Sequence, residues 1–165
     1  MRKIEEFDYV IRKAWSTDIP QLVELGAAFY QESNFLGTLT MSKNNYQRTL
    51  ERYIDHPLVA AIVAVKGGEI LGYVHIYAQN DYTEELVGEV FQFYIRPEYR
   101  GSGISRALAE SAVLQYAEWK VARGYVEAAP GMDAEEHLKL FENLWGRVGY
   151  KKIGIVMMKE FKHGS

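Results

Sequence analysis

The sequence predicts an α/β fold of the α+β kind, in which a mixed, mostly antiparallel sheet carries helices on both faces. Two observations predict it: segments with helical spacing of apolar residues alternate with short β-branched runs, and three of these runs follow one another directly between residues 58 and 95. A third is the pair Gly67-Gly68 between two of the runs, which is typical of a hairpin turn. Strands joined by hairpins pair antiparallel, whereas a strand reached through a helix pairs parallel.

The N-terminal third of the chain is predicted to hold one strand and two helices. The strand is "YVIRKA", residues 9–14. A helix follows it, because Thr17 or Asp18 can cap the helix, Pro20 suits its first turn, and apolar residues recur at helical spacing as far as Tyr30. A second helix with its own apolar face ends before Pro57, since the residue before a proline disfavours the helical conformation.

From residue 58 onward, the chain is predicted to continue with strands and to alternate with helices near its end. The predicted strands cover residues 58–65, 69–79, 89–95, 125–130 and 150–161. A helix over 102–123 joins the third and fourth of these, with Gly124 as its C-cap. Another helix over 133–149 turns Leu138 and Trp145 towards the core.

Composition excludes several classes of protein. The 165 residues, 48% of them hydrophobic, suit one domain over residues 1–165 with a core from about 9 to 161. A net charge of -3 gives no basic surface for nucleic acid, and the lack of cysteine excludes a disulfide framework, a thiolate nucleophile and a cysteine-based zinc site. The four histidines have no metal-ligand spacing, so we expect no metal. Charged residues near the N-terminus and the absence of a long apolar run predict a cytoplasmic protein without membrane contact.

The segment "YIRPEYRGSGISRAL", residues 94–108, carries the clearest functional signal. Gly101 and Gly103 lie where a strand turns into a helix, and the free amides of a helix start can hold a phosphate or pyrophosphate. The alternative is a plain turn in which a serine caps the helix. The spacing matches neither a P-loop nor a dinucleotide fingerprint, because Arg106 stands where the latter needs its third glycine.

This segment resembles the acetyl-CoA signature of the GNAT family of N-acetyltransferases, Arg/Gln-x-x-Gly-x-Gly/Ala. Arg100, Gly103 and Ser105 occupy the motif positions, and Ser105 departs from the usual glycine or alanine but is also small. The resemblance extends over nearly the whole chain, from "VIRKAWSTDIPQLVEL" to "LWGRVGYKKIG". It implies a GNAT-like sheet that splays between the strand over 89–95 and the strand after the signature helix, with acetyl-CoA as co-substrate in the gap.

The resemblance also implies which residues hold the cofactor. Backbone groups of the strand would bind the pantetheine arm, amides of the loop would bind the pyrophosphate, and a residue of the last helix would add a weak contact. These residues are, in that order, Phe93, Tyr94 and Ile95; Arg100, Gly101, Ser102, Gly103, Ile104 and Ser105; and Asn143.

For proton transfer, the resemblance implies Glu89 as the base, against the alternative of a solvated carboxylate at the start of a strand. The family's tyrosine acid is replaced by Trp145, whose indole cannot serve, so Tyr150, Tyr116, Tyr94 or water would protonate the leaving thiolate. We take Tyr150 as the candidate.

The family's acceptor site maps to the end of the first helix and the segment after it. The matching residues are Phe29, Tyr30, Glu32 and Phe35, although core packing explains the aromatic ones equally well. The acidic loop over 81–85 is either solvated or attracts a cationic amine. The 12 tyrosines fit an aromatic acceptor pocket or the surface of a homodimer.

The sequence therefore predicts an acetyl-CoA-dependent N-acetyltransferase that acts on a primary amine by direct transfer in a ternary complex. Two alternatives stay open: a non-catalytic acyl-CoA-binding module with the same fold, and a scaffold without a cofactor.

Overall fold

The computed structural model describes residues 8–33, 39–127 and 134–153. Two short 3-10 turns, at Ser16–Asp18 and Pro97–Tyr99, accompany the main elements. Those elements are β1 (Val10–Lys13), α1 (Ile19–Glu32), α2 (Lys43–Tyr53), β2 (Val59–Lys66), β3 (Glu69–Gln79), β4 (Val87–Ile95), α3 (Ile104–Glu118), β5 (Arg123–Val126) and α4 (Ala134–Arg147).

The five described strands form one sheet in sequence order, from β1 to β5. The first four pair antiparallel and β5 pairs parallel to β4, which confirms the predicted mixed sheet. Gly67 and Gly68 join β2 to β3 with φ angles of +57° and +84°. Two consecutive positive φ angles match the twist of a two-residue hairpin, so the glycine pair does what the sequence predicts.

Helices cover both faces of this sheet. On one face, α3 and α4 contribute Leu108 and Trp145 to a buried cluster with Ile76 of β3. On the other face, α1 contributes Leu22 to a cluster with Tyr73, the third residue before Ile76. Residues of β3 thus alternate between two cores, because successive strand side chains point to opposite faces. No helix of the described residues is both long and apolar enough to cross a membrane.

The end of α3 corrects a prediction. The helix ends at Glu118, five residues earlier than expected, and Gly124 lies inside β5 rather than at the helix end. Lys120 takes the left-handed conformation with a φ of +59°. The N–H of Val121 donates to the Tyr116 carbonyl at 2.9 Å and that of Lys120 to the Ala117 carbonyl at 3.1 Å, which together close a Schellman turn. A lysine in the left-handed conformation, and not a glycine, therefore ends this helix.

The C-terminal elements agree only partly with the predictions. Leu138, expected in the core, is 43% exposed, whereas Trp145 is 2% exposed. β5 begins two residues before the predicted strand over 125–130, whose last residues, 128–130, lie outside the described part. Of the predicted strand over 150–161, residues 150–153 form no strand and the rest lies outside the described part.

Candidate cofactor and acceptor site

The outer edge of β4 is open over half of its length. β5 pairs with β4 only from Val87 to Val90, so no strand of the described residues covers this edge from Phe91 to Ile95. A β-bulge begins the open half, since Val90 pairs with Ile76 while Gln92 pairs with His75. The bulge and the loss of pairing coincide, so a ligand can approach the backbone here.

Peptide groups along the open edge alternate in direction. The N–H of Arg96 donates to the Leu71 carbonyl of β3 at 2.9 Å. Because backbone groups two residues apart in a strand point the same way, those of Tyr94 also face β3. Phe93 and Ile95 therefore present their N–H and C=O groups to the open side. Tyr94 presents its own to β3, so its predicted backbone contact with a cofactor is not supported by this geometry.

The glycine loop leads directly from this edge into α3. Gly101 and Gly103 have φ angles of +81° and +90°, and, beyond the adjoining residues of the chain, no heavy atom of the described residues lies within 4 Å of the position that a Cβ would take on either. Gly103 itself is the N-cap of α3, without a side-chain cap, so the alternative of a capping serine is wrong. Ala107 is the first residue with an intrahelical partner, the Gly103 carbonyl at 3.1 Å.

The first amides of α3, at residues 104–106, therefore have no acceptor within the helix, and they lie at the positive end of its dipole. This arrangement, next to two glycines that face open space, suits a phosphate or pyrophosphate. Ser102 is occupied differently, because its hydroxyl donates to the Tyr99 carbonyl at 2.6 Å.

The Arg100 side chain is bound within the protein. Its Nη2 lies 2.6 Å from Oε2 of Glu32, and its Nε donates to the Ile95 carbonyl at 3.0 Å. The other Glu32 oxygen accepts from the Tyr94 hydroxyl at 2.7 Å. Burial and this hydrogen bond raise the pKa of Tyr94 to about 12. Glu32, expected in the acceptor site, thus positions the signature arginine from the end of α1.

Glu89 lies on the face of the sheet that α1 and α2 cover. It pairs with Tyr77, two residues after His75, and its Oε2 accepts from the Tyr77 hydroxyl at 2.5 Å. Burial and the neighbouring carboxylate raise the pKa of Tyr77 to about 12. Tyr77 therefore stays protonated at neutral pH and holds the carboxylate at the start of the open strand.

Trp145 is a core residue. Its ring packs edge-on against Phe93 and Tyr150, at centroid distances of 5.7 and 5.3 Å. The Tyr150 hydroxyl lies 2.8 Å from the position that a Cβ would take on Gly124, and burial raises the pKa of this tyrosine to about 12. Tyr150 is therefore a protonated group beside β5.

Two further sequence candidates have weaker support. Asn143 is exposed on α4. The buried Tyr116 hydroxyl has no hydrogen-bond partner among the described residues, and burial raises its pKa. Within the described part of the chain, no cluster of three or more histidine or carboxylate side chains could hold a metal ion.

On the face of the sheet that α1 and α2 cover, a cavity of about 250 Å³ lies between these two helices and β4. Tyr30, one of the predicted acceptor residues, lines it together with Tyr46 and Gln92. Phe29 is half-buried and packs edge-on against Tyr94 at 6.3 Å, and Phe35 lies outside the described residues.

Sequence reasoning missed the polar network at the floor of this cavity. Oε1 of Gln92 accepts from the hydroxyls of Tyr46 and Tyr73, at 2.8 and 3.2 Å. Nδ1 of His75 lies 3.3 Å from the Tyr46 hydroxyl, while its Nε2 is buried without a partner among the described residues. Alternation along β3 predicts only a half-buried histidine, and no sequence signal identifies Gln92.

The burial of His75 predicts a loss of stability in mild acid. Desolvation lowers the pKa of His75 to about 4, whereas an unfolded histidine titrates near 6.5. As the pH falls below 6.5, the unfolded chain therefore gains a proton that the folded chain does not, and the free energy of unfolding falls by about 2 kcal/mol between pH 7 and pH 5. Urea denaturation at both values checks this. His75→Gln should lose this part of the pH dependence, and an equal fall in that variant would contradict the assignment.

Comparison with known proteins agrees with this geometry. The sequence profile of the acetyltransferase (GNAT) family matches residues 20–146. This chain belongs to the GNAT family. Comparison with the curated proteins finds no match by sequence.

Solved structures with the GNAT fold superimpose on nearly the whole chain. AAC(6')-Iy, solved with the bisubstrate analogue CoA-S-monomethyl-acetylneamine, has a TM-score of 0.73 at 14% identity, covering 94% of this chain and 99% of its own. A predicted acetyltransferase from Clostridium acetobutylicum, solved with acetyl-CoA, has a TM-score of 0.71 at 17% identity, covering 93% and 96%. A ribosomal-protein-alanine N-acetyltransferase from Brucella melitensis biovar Abortus 2308 has a TM-score of 0.69 at 19% identity, covering 93% and 99%. At these identities, the likeness establishes the shared fold.

Proposed function

We propose that this GNAT protein is an acetyl-CoA-dependent N-acetyltransferase that moves an acetyl group to a primary amine by direct transfer in a ternary complex. The observation that carries the proposal is the open edge of β4 from Phe91 to Ile95, which leads into the free amides and unobstructed glycines at the start of α3. The neighbours whose structures contain acetyl-CoA or a CoA analogue support the same donor.

The residues of this chain fit coenzyme A. Backbone groups of Phe93 and Ile95 would hold the pantetheine arm as a neighbouring strand would. The amides of Gly101, Gly103, Ile104 and Ser105 would hold the pyrophosphate by hydrogen bonds to charged oxygen, whereas the Ser102 amide already donates to the Tyr99 carbonyl at 3.3 Å. The bound thioester supplies the acetyl group.

Proton transfer would fall to Glu89 and Tyr150. An amine is mostly protonated at neutral pH and needs a base, and the carboxylate of Glu89, which accepts from the Tyr77 hydroxyl, would serve as that base. Tyr150 is protonated at neutral pH and would donate to the leaving thiolate. The ternary mechanism requires no covalent intermediate on the protein, which agrees with the absence of cysteine.

A non-catalytic acyl-CoA-binding module is the second candidate. It is favoured by Trp145, which fills the position of the family's tyrosine acid and is 2% exposed in the core. Its backbone cradle would be the same, but it would release no thiol.

The two candidates are separated by incubating the protein with acetyl-CoA and a panel of primary amines, including amino acids, polyamines, aminoglycosides and lysine peptides. The enzyme should release free thiol and an acetylated amine in equal amounts. Stabilisation by acetyl-CoA without any product would favour the module. No stabilisation by saturating acetyl-CoA would contradict both.

Glu32→Gln is expected to weaken acetyl-CoA binding about three- to tenfold, because it removes the charge that pairs with Arg100 next to the glycine loop. The matched control is Glu24→Gln, which breaks another ion pair of α1, with Lys43 at 2.7 Å. Calorimetric titration with acetyl-CoA should find the control unchanged. Equal dissociation constants for both variants would refute a positioning role for Glu32.

A further inference from the structure

We propose that the cavity between α1, α2 and β4 binds an uncharged, oxygen-bearing part of the acceptor, and that Gln92 is the residue that recognises it. This inference rests on the proposed function and narrows its acceptor class. It departs from the cationic acceptor that is one of the two interpretations of the acidic loop over 81–85, the other being a solvated loop.

The cavity adjoins the reactive stretch of β4. Gln92, which lines the cavity, directly follows the bulge in β4. Its neighbour Phe93 presents backbone groups to the open edge. A group bound against the Gln92 side chain would therefore lie close to a group bound along the open edge of β4. The volume of about 250 Å³ is enough for one small polar group with its linker.

The amide of Gln92 is fixed in one orientation. Its Oε1 accepts two hydroxyl hydrogen bonds, from Tyr46 and Tyr73, which use both lone pairs. Tyr73 is fully buried, and the Tyr46 ring is packed so tightly on Gly26 that a Cβ there would overlap it. The Nε2 group, with its two N–H donors, is left for a ligand in the cavity.

Two other polar side chains that line the cavity, Asn45 and Ser42, also have hydrogen-bond donors that the bonds given below do not use. Oδ1 of Asn45 accepts from Arg48 at 2.6 Å, which leaves the Asn45 N–H donors. Oγ of Ser42 accepts from the backbone N–H of Asn45 at 3.3 Å, which leaves the Ser42 O–H as a donor. Of the described residues that line the cavity, none carries a charge.

A lining rich in donors and without a carboxylate favours oxygen acceptors over cations. An ammonium placed here would meet no carboxylate among the described lining residues, so no ion pair would offset the hydration that it gives up. A carbonyl or hydroxyl oxygen would satisfy the Gln92 and Asn45 amides. The face of Tyr30 or Tyr46 can pack against the adjoining linker.

Three amines of equal chain length test this: aminopentanamide, diaminopentane and hexylamine. Their binding to the full chain is measured by calorimetry with saturating CoA. Wild type should bind the carboxamide at least about tenfold more tightly than the diamine. Gln92→Glu keeps both hydroxyl contacts but replaces the donors by a carboxylate, so the order should reverse. Gln47→Glu, the same change on the exposed side of α2, should keep the wild-type order.

Tyr46→Phe is a second variant, in case Gln92→Glu does not fold, and it should reduce the preference for the carboxamide because Gln92 loses one anchor. The proposal is overturned if the diamine binds as well as the carboxamide, if both variants keep the wild-type preference, or if none of the three amines binds. Binding of acetyl-CoA, titrated alone, decides the proposed function separately.

Discussion

Gly103→Ala should weaken acetyl-CoA binding at least about 100-fold in a protein that still folds. The new methyl group would enter the open space beside the free amides of α3, where the pyrophosphate is proposed to lie. Displacing the phosphate oxygens from two amides removes charge-assisted hydrogen bonds worth about 1.5–3 kcal/mol each. Calorimetric titration with acetyl-CoA measures the effect directly.

The substitution also strains the backbone, because Gly103 has a φ of +90°. Gly68→Ala is the matched control: it has a φ of +84°, faces open space in the β2–β3 hairpin, and lies outside the proposed site. Both variants should lose about 1–2 kcal/mol of unfolding free energy. Only Gly103→Ala should lose the cofactor, and equal affinities in the two variants would refute the cradle.

Glu89→Gln should lower kcat about 100-fold or more while the dissociation constant of acetyl-CoA stays unchanged. The amide keeps a hydrogen bond to Tyr77 and the shape of the side chain, but it cannot take a proton from the amine. The rate as a function of pH should lose the limb that reports the base.

The control for Glu89 is Glu84→Gln, an exposed carboxylate of the preceding loop, which tests whether net negative charge alone accounts for the effect. Its rate and pH profile should match wild type. An unaltered profile in Glu89→Gln would remove this residue from the mechanism.

Features set by local geometry were predictable from the sequence. The Gly67-Gly68 turn needs two positive φ angles, which glycine alone adopts without cost, so the hairpin and the antiparallel order follow from neighbouring residues. The glycine loop before α3 was predictable for the same reason, because neighbouring residues of the sequence supply both the permissive backbone and the free amides.

Features set by tertiary contacts were not predictable. The bulge in β4 leaves Phe91 60% exposed, although strict alternation along "EVFQFYI" would place it on the same face as Phe93. Because of the same bulge, the Gln92 side chain lies on the face that α1 and α2 cover, where it bonds Tyr46. Arg100 has a partner 68 positions away, Glu32, and no local pattern indicates that pair. The end of α3 was missed for another reason: Lys120 takes the left-handed conformation that glycine usually supplies at a helix end.

The central claim is that the open edge of β4 and the start of α3 form one coenzyme A site. Titration of the isotope-labelled protein with acetyl-CoA, followed by the backbone amide resonances, tests it most directly. The largest changes should fall on residues 101–106 and on Phe93 and Ile95, with none at the Gly67-Gly68 hairpin. Unchanged resonances across the glycine loop and the β4 edge at saturating acetyl-CoA would contradict the claim.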